Sequence, residues 1–387
     1  MNAPLYLDHN ATTPVAPEVL AAMDECYRQG FGNPSSQHAA GRKARQLLED
    51  ARERIAELLG ARLAGPAADR LIFTSGATEA NNLALFGMTG DTPARIAASR
   101  IEHPSVINAA RELERRGWQV DWLSAQADGV VALPDLQAAL EARPKLVCLM
   151  LANSETGVLQ PVAEAASLAS ERDVPLHTDA VQAIGKLPVD FGGLMASSMS
   201  IAAHKFQGPR GIGALLVRGG AILRPLLFGG EQQQAARPGT ECVALAVGMC
   251  RALDLRHTDL QQQQTRIAAL RDRLEQTLSQ GCGPVVIHGA DARRLPNTSN
   301  VSFPGVDRQM LVLALDLAGV ACSTGSACAS GSSAPSPTLT AMGLSREWID
   351  SAIRLSLGAD CAPVEVDQAA DRITAVVNHL RHANSGG

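Results

Sequence analysis

The chain has 387 residues, a formal net charge of -5, 46% hydrophobic and 19% charged residues. These values exclude a small binding module and a disordered chain, and no Lys/Arg run supplies the footprint of a nucleic-acid binder. The opening MNAPLYLDHNATTP lacks the basic and apolar regions of a signal peptide, and no apolar run approaches the ~20 residues of a membrane helix. A cytoplasmic protein acting on a small molecule, with no membrane and no nucleic acid as partner, is expected.

In chain order, the first strong pattern is an amphipathic helix over His38 to Ala61, with Leu47, Leu48, Ala51, Ile55, Leu58 and Leu59 on one face. Short apolar runs then alternate with helical stretches. Strands are predicted at Arg70 to Thr74, Arg95 to Ala98, Leu146 to Leu151, Leu176 to Thr178, Met199 to Ala203 and Ile212 to Val217. Their near-continuous apolar character suits strands buried on both faces, hence an α/β domain with a mostly parallel sheet layered between helices. After about residue 255 the rhythm changes to long amphipathic helices over 259–281 and 363–380, with a strand near Asn300 to Phe303. This predicts a large domain over 15–254 and a smaller α+β domain built from 1–14 and 255–387. The stretch 329–340, dense in Ser, Pro, Ala and Gly, reads as an exposed loop, and Cys328 stands just before it.

Four lysines are present. Lys43 lies on the amphipathic helix, Lys145 precedes a strand, and Lys186 follows Gly185 in what reads as a turn. Lys205 differs: it ends an apolar strand, follows His204 and precedes the glycine-rich FQGPRGIG. A lysine at the carboxyl end of a parallel strand points into the crevice where such sheets bind ligands, and desolvation there favours a nucleophilic or Schiff-base amine. An edge lysine in a salt bridge is the alternative. Phe73 to Asn82 runs from a strand through Ser75-Gly76 into a helix beginning near Ala77-Thr78, which is either a phosphate site or a simple helix cap. Asp179, with Gln182 three residues on, ends a strand; it is either a partner for a protonated pyridine nitrogen or a helix cap. His103, before Pro104, either lies over a flat cofactor or is a satisfied crevice histidine.

Ten ordered blocks together resemble the pyridoxal-phosphate cysteine desulfurases of the class V, fold type I aminotransferase superfamily. They are YLDHNATTP (6–14), FGNPSS (31–36), TSGATEANN (74–82), EHPSV (102–106), ETGVLQP (155–161), HTDAVQAIGK (177–186), HKFQGPRGIGAL (204–215), RPGTE (237–241), GSACASGS (325–332) and IRLSLG (353–358). GSAC resembles the long-loop subgroup that passes sulfur to iron-sulfur scaffold proteins. The resemblance implies that Lys205 carries pyridoxal 5'-phosphate, that Ala77, Thr78 and His204 hold its phosphate, and that Asp179 pairs with the pyridine nitrogen. It further implies that Gln182 bonds the ring hydroxyl, that His103 stacks on the ring, and that Arg354 clamps the carboxylate of L-cysteine with Asn153 nearby. Thr240 would reach the phosphate of the neighbouring subunit in a homodimer, and the Cys328 thiolate would take the substrate sulfur as a persulfide, leaving L-alanine. The pattern is departed from at Ser154, where the family has Asn, at Ala202, where it often has Ser, and at 333–336. Ser154 is the shorter side chain and would contact only one of the ring hydroxyl and the substrate carboxylate, or a water, and the Ala202 change costs the phosphate one hydrogen bond. Cys322 is read as a buried strand thiol, with a resolving or regulatory role as the alternative. Selenocysteine lyase is the rival activity, and a non-catalytic scaffold subunit the rival class.

Overall fold

The computed structural model describes residues 4–29, 31–325 and 334–385. Cys328 lies outside them. Twelve strands occur among the described residues: β1 (Leu5–Tyr6), β2 (Arg70–Thr74), β3 (Arg95–Ser99), β4 (Gln119–Leu123), β5 (Val147–Cys148), β6 (Leu176–Asp179), β7 (Ser198–Ala202), β8 (Gly213–Val217), β9 (Val286–Ile287), β10 (Thr298–Ser302), β11 (Val320–Ala321) and β12 (Ala352–Ser356). Seven of them form one sheet in the order β2-β8-β7-β6-β5-β3-β4. The pairs from β4 across to β7 are parallel, and β8 runs antiparallel to both β7 and β2. β2 therefore shares its direction with the parallel strands. The carboxyl ends of β2, β3, β5, β6 and β7 all emerge at one edge, the edge at which doubly wound sheets bind ligands.

Burial follows the sequence pattern. β7 and β8 are buried along their whole length, as their uninterrupted apolar and small residues require. β4 was not legible: Gln119 and Asp121 interrupt its apolar run, because it is an edge strand paired only with β3. The expected strand over Leu146 to Leu151 contracts to Val147–Cys148, although Leu149 and Leu151 still donate to the β6 carbonyls of His177 and Asp179.

One apolar core gathers residues between Ala16 and Leu253, filled by the helices Ala39–Leu58 and Val243–Thr258 against the sheet. A second joins Leu7 to residues between Ile267 and Val377, where the helices Leu260–Gly281 and Pro363–Ser385 cover the antiparallel β12-β10-β9 sheet. Leu7 enters this second core because β1 pairs in parallel with β11. From there the chain crosses to the edge of the large sheet.

The exposed loop expected over 329–340 is corrected where it is described. Pro337–Ala341 is a helix with Leu339 fully buried, and the Ser336 hydroxyl accepts from the Leu339 N–H at 3.1 Å. Ser at the cap and Pro at the first helical position initiate a helix; the composition that reads as a breaker is here a start signal.

Gly213 sits where β8 begins, between β7 and the turn after β2. A Cβ there would lie 2.6 Å from the Ile201 carbonyl oxygen and 2.8 Å from the Gly76 carbonyl carbon, both backbone atoms. Gly213→Ala is therefore expected to destabilise the protein by about 1–3 kcal/mol through forced backbone displacement, measured by urea denaturation.

Candidate active site

A cavity of about 440 Å³ opens at that sheet edge, lined by residues that include Ala77, Thr78, His103, Ser154, Asp179, Gln182, His204, Lys205 and Arg354. Ala77 and Thr78 follow β2, His103 follows β3, Ser154 follows β5, Asp179 and Gln182 come from the end of β6, His204 and Lys205 follow β7, and Arg354 lies on β12. Lys205 sits in a single 3-10 turn, Ala203–Lys205, directly after β7, and its Nζ donates to the Asn10 and Ala11 carbonyls at 2.5 and 2.8 Å. Asp179 closes β6. Its Oδ2 accepts from Asn81 Nδ2 at 2.8 Å and its Oδ1 from the Val181 N–H at 3.0 Å, so the carboxylate is held in one orientation. Asn81 also accepts from the Ser200 hydroxyl and meets His177 Nε2 at 3.1 Å, a polar network buried beneath the site.

His103 caps the helix Pro104–Arg115, its Nδ1 accepting from the Ser105 N–H at 3.1 Å. Burial pushes its pKa down, Asp179 pulls it back up, and Lys205 lowers it further. His103 is part of the cavity wall. His204 is pushed down to about 4, first by burial and then by the Lys205 charge; its Nδ1 lies 3.2 Å from Thr12 Oγ1.

The donors at the phosphate end are open. The helix Ala77–Thr89 is capped by Gly76 with no side-chain bond, and the N–H groups of Ala77, Thr78 and Glu79 find no acceptor among the described residues. A Cβ at Gly76 would meet nothing within 4 Å. A 13-residue helix ending in free N–H groups over an empty cradle suits an anionic group. At the other end, Arg354 is 1% exposed; its Nη2 donates to Asp8 Oδ1 at 2.6 Å and its Nη1 to the Ser154 carbonyl at 3.1 Å. Its Nε is buried without a partner, a donor suited to a carboxylate. Anion cradle, lysine, carboxylate and arginine thus fit a phosphorylated pyridine aldehyde and an amino acid.

Asn153, Thr240 and Lys186 lie outside the cavity wall. Asn153 does not line the cavity: its side chain is spent on its own turn, accepting from the Glu155 and Thr156 N–H groups at 2.9 Å each and donating to the Ile101 carbonyl at 3.0 Å. Thr240 is exposed, in an adjoining hollow that shares Ser75 and Gly211 with the cavity. Lys186 lies in a turn, as expected, and is part-buried there; its Nζ donates to Asn10 Oδ1 at 2.9 Å and Gln182 Oε1 at 2.8 Å. Cys322 has its thiol pushed up to about 12 by burial, which leaves it protonated.

Asn10 was missed. Its carbonyl accepts from Lys205 and, at 3.0 Å, from Gln182 Nε2; its Nδ2 donates to the Ser154 carbonyl at 3.2 Å and Thr298 Oγ1 at 2.9 Å. Glu155 was also missed. Buried beside the cavity, it accepts from the hydroxyls of Ser336 and Thr338 at 2.6 and 3.1 Å.

The profile of the aminotransferase class-V family matches residues 5–368, and the chain belongs to that pyridoxal-phosphate-dependent family. It is 41% identical over 388 residues to an IscS-like cysteine desulfurase of Mycobacterium tuberculosis, covering 98% of this chain and 97% of the relative. It is 38% identical over 384 residues to the cysteine desulfurase IscS of Dictyoglomus turgidum, covering 98% and 96%. A NifS-like protein from Rickettsia africae superposes with a TM-score of 0.89 at 30% identity, covering 97% of this chain and 99% of that one. The fold is therefore α/β, PLP fold type I. Among the described residues no helix is long and apolar enough to cross a membrane.

Beneath His103, Glu102 accepts from the Met150 N–H at 2.6 Å and the Ser99 hydroxyl at 2.9 Å, and burial raises its pKa to about 8. A carboxyl whose folded pKa lies above its unfolded value near ~4.3 gives stability that is complete below that value and lost as pH rises through the folded pKa. Between roughly pH 5 and 9 the wild-type unfolding free energy is expected to fall relative to that of Glu102→Gln, which carries no charge to bury. Urea titrations of both proteins across that range check it.

Proposed function

We propose that this chain is a cysteine desulfurase that converts L-cysteine to L-alanine and carries the sulfur as a persulfide on Cys328. The observation behind it is the convergence of Lys205, Asp179, Arg354 and an open helix N-terminus on one cavity, in a chain 38–41% identical to cysteine desulfurases over nearly its whole length.

Pyridoxal 5'-phosphate, when bound, supplies an electron sink for charge developing on the substrate. Ala77, Thr78 and His204 hold its phosphate, Asp179 its pyridine nitrogen, and Gln182 its ring hydroxyl; His103 lies over the ring, and Ser154 contributes a short hydroxyl at the cavity wall. Lys205 attaches the cofactor and then moves the α-proton of the substrate, its amine aimed by the Asn10 and Ala11 carbonyls. Arg354 binds the substrate carboxylate with its unpartnered Nε, and Asn153 supports it by holding the turn whose Ser154 carbonyl accepts from Arg354. Sulfur then passes by displacement: the Cys328 thiolate attacks the substrate sulfur, an S–S bond forms and the C–S bond breaks. The electron pair of that bond leaves with the carbon skeleton, which takes up protons and departs as alanine.

The persulfide is passed to an acceptor protein of the iron-sulfur scaffold kind, in the cytoplasm. A large domain over 15–254 carries the cofactor, and 1–14 with 255–387 form the smaller one; two separate apolar cores support this division. The working unit is a homodimer in which Thr240 reaches the phosphate of the neighbouring subunit. The exposure of Ile222 at 73% and Phe228 at 89% supports a face covered by another chain.

Purified protein supplied with the cofactor is expected to show a visible absorption band that Lys205→Ala lacks. With a thiol reductant it should release equal amounts of alanine and sulfide from cysteine, and Cys328→Ser should release neither. Turnover of selenocysteine alone, or binding of the cofactor with no turnover, would refute desulfuration of cysteine.

A further inference from the structure

Asn10, Lys186 and Gln182 form one closed circuit of hydrogen bonds beside the Lys205 amine. The Asn10 amide is fixed without ambiguity: its Nδ2 faces the Ser154 carbonyl, which only accepts, so its Oδ1 faces Lys186 and Asn297 Nδ2 at 2.9 and 3.1 Å. Gln182 is fixed in the same way. Its Nε2 donates to the Asn10 carbonyl at 3.0 Å, so its Oε1 is the atom 2.8 Å from Lys186 Nζ. Lys186 therefore offers N–H groups to two side-chain oxygens, an arrangement it satisfies whether charged or neutral. It is part-buried, and among the described residues no acidic group is within its hydrogen-bond reach. Such a lysine contributes little to stability as an ion, since burial and then the charges of Lys205 and Arg354 oppose its own. Its geometry has another consequence: with Oε1 drawn back to Lys186 and one N–H spent on Asn10, Gln182 keeps its second N–H for the cavity it lines.

We propose that Lys186 is a positioning residue: it sets the amide of Gln182 with nitrogen, not oxygen, toward the cofactor, and so makes Gln182 a hydrogen-bond donor to the ring oxygen. This deepens the function proposed above and rests on it. Lys186 acts with the Asn10 carbonyl in holding Gln182 Oε1 away from the cavity; without it that carbonyl holds the amide alone, and an amide turned over presents an acceptor where a donor is needed. A purely structural lysine would instead affect folding and leave the cofactor's environment as it was.

The test compares Lys186→Met, Gln182→Leu and the double variant, each loaded with pyridoxal 5'-phosphate. The readouts are cofactor affinity and the position of the visible absorption band, with no turnover involved. Each single variant is expected to weaken cofactor binding by about tenfold, the loss of one hydrogen bond to a buried group. The double variant should be no weaker than either single by more than about twofold, because both remove the same interaction. The band of Lys186→Met should shift in the same direction as that of Gln182→Leu. Should Lys186→Met not fold, Lys186→Gln, whose N–H donor falls short of Gln182, is read in the same way. A Lys186 variant with wild-type affinity and band, or effects that multiply in the double variant, would overturn the proposal. A wild-type protein that develops no visible band at all would overturn the cofactor reading beneath it, which distinguishes the two failures.

Discussion

The site depends on Asn10, an uncharged residue far in sequence from everything it holds. Its backbone N–H donates to Ser356 Oγ at 2.9 Å, its carbonyl receives Lys205 and Gln182, its Oδ1 receives Lys186 and Asn297, and its Nδ2 reaches Ser154 and Thr298. Every donor and acceptor it has is used, the condition under which a buried polar group adds order instead of cost. β12 and β10, which supply Ser356 and Thr298, belong to the second core, while β6 and β7 lead to Gln182 and Lys205 from the first. One residue thereby ties the turn that carries Lys205 to the strand that carries Arg354, through the Ser154 carbonyl that both Asn10 and Arg354 reach.

Around that hub the charge is mostly positive. Lys205, Lys186, Arg354 and Arg210 approach the cavity, and the histidines His9 and His204 are both pushed down to about 4, first by burial and then by neighbouring lysines. Keeping these imidazoles neutral limits the repulsion that an empty site must bear. Asp179 and Asp8 are the counterweights, one held by Asn81 and the other on Arg354. In the proposed reaction a dianionic phosphate and a substrate carboxylate would complete the balance.

Much of this was legible in the sequence where chemistry sits at a strand end. The apolar runs that mark β6 and β7 also mark where Asp179 and Lys205 must emerge, and the Ser-Gly before Ala77 announces a helix start with free N–H groups. Residues whose role comes from distant partners were not legible. Lys186 looks like a turn lysine because Gly185 precedes it, and only the fold shows that its amine reaches Asn10 and Gln182. Asn10 carries no local signal, since its partners lie at Ser154, Gln182, Lys205 and Thr298. Asn153 shows the converse: a residue in a motif whose side chain serves its own turn. Pro337 fell within a stretch read as a loop because composition does not distinguish the end of a loop from the first turn of a helix.

The central claim is that the cofactor site built on Asn10 and Lys205 exists to load sulfur onto Cys328. Its most direct test is mass spectrometry of the peptide containing Cys328 after the cofactor-loaded protein is mixed with cysteine, without reductant. The account predicts the gain of one sulfur atom on Cys328, absent in Lys205→Ala. Alanine produced while Cys328 stays unmodified, or sulfur found on another cysteine, would contradict it.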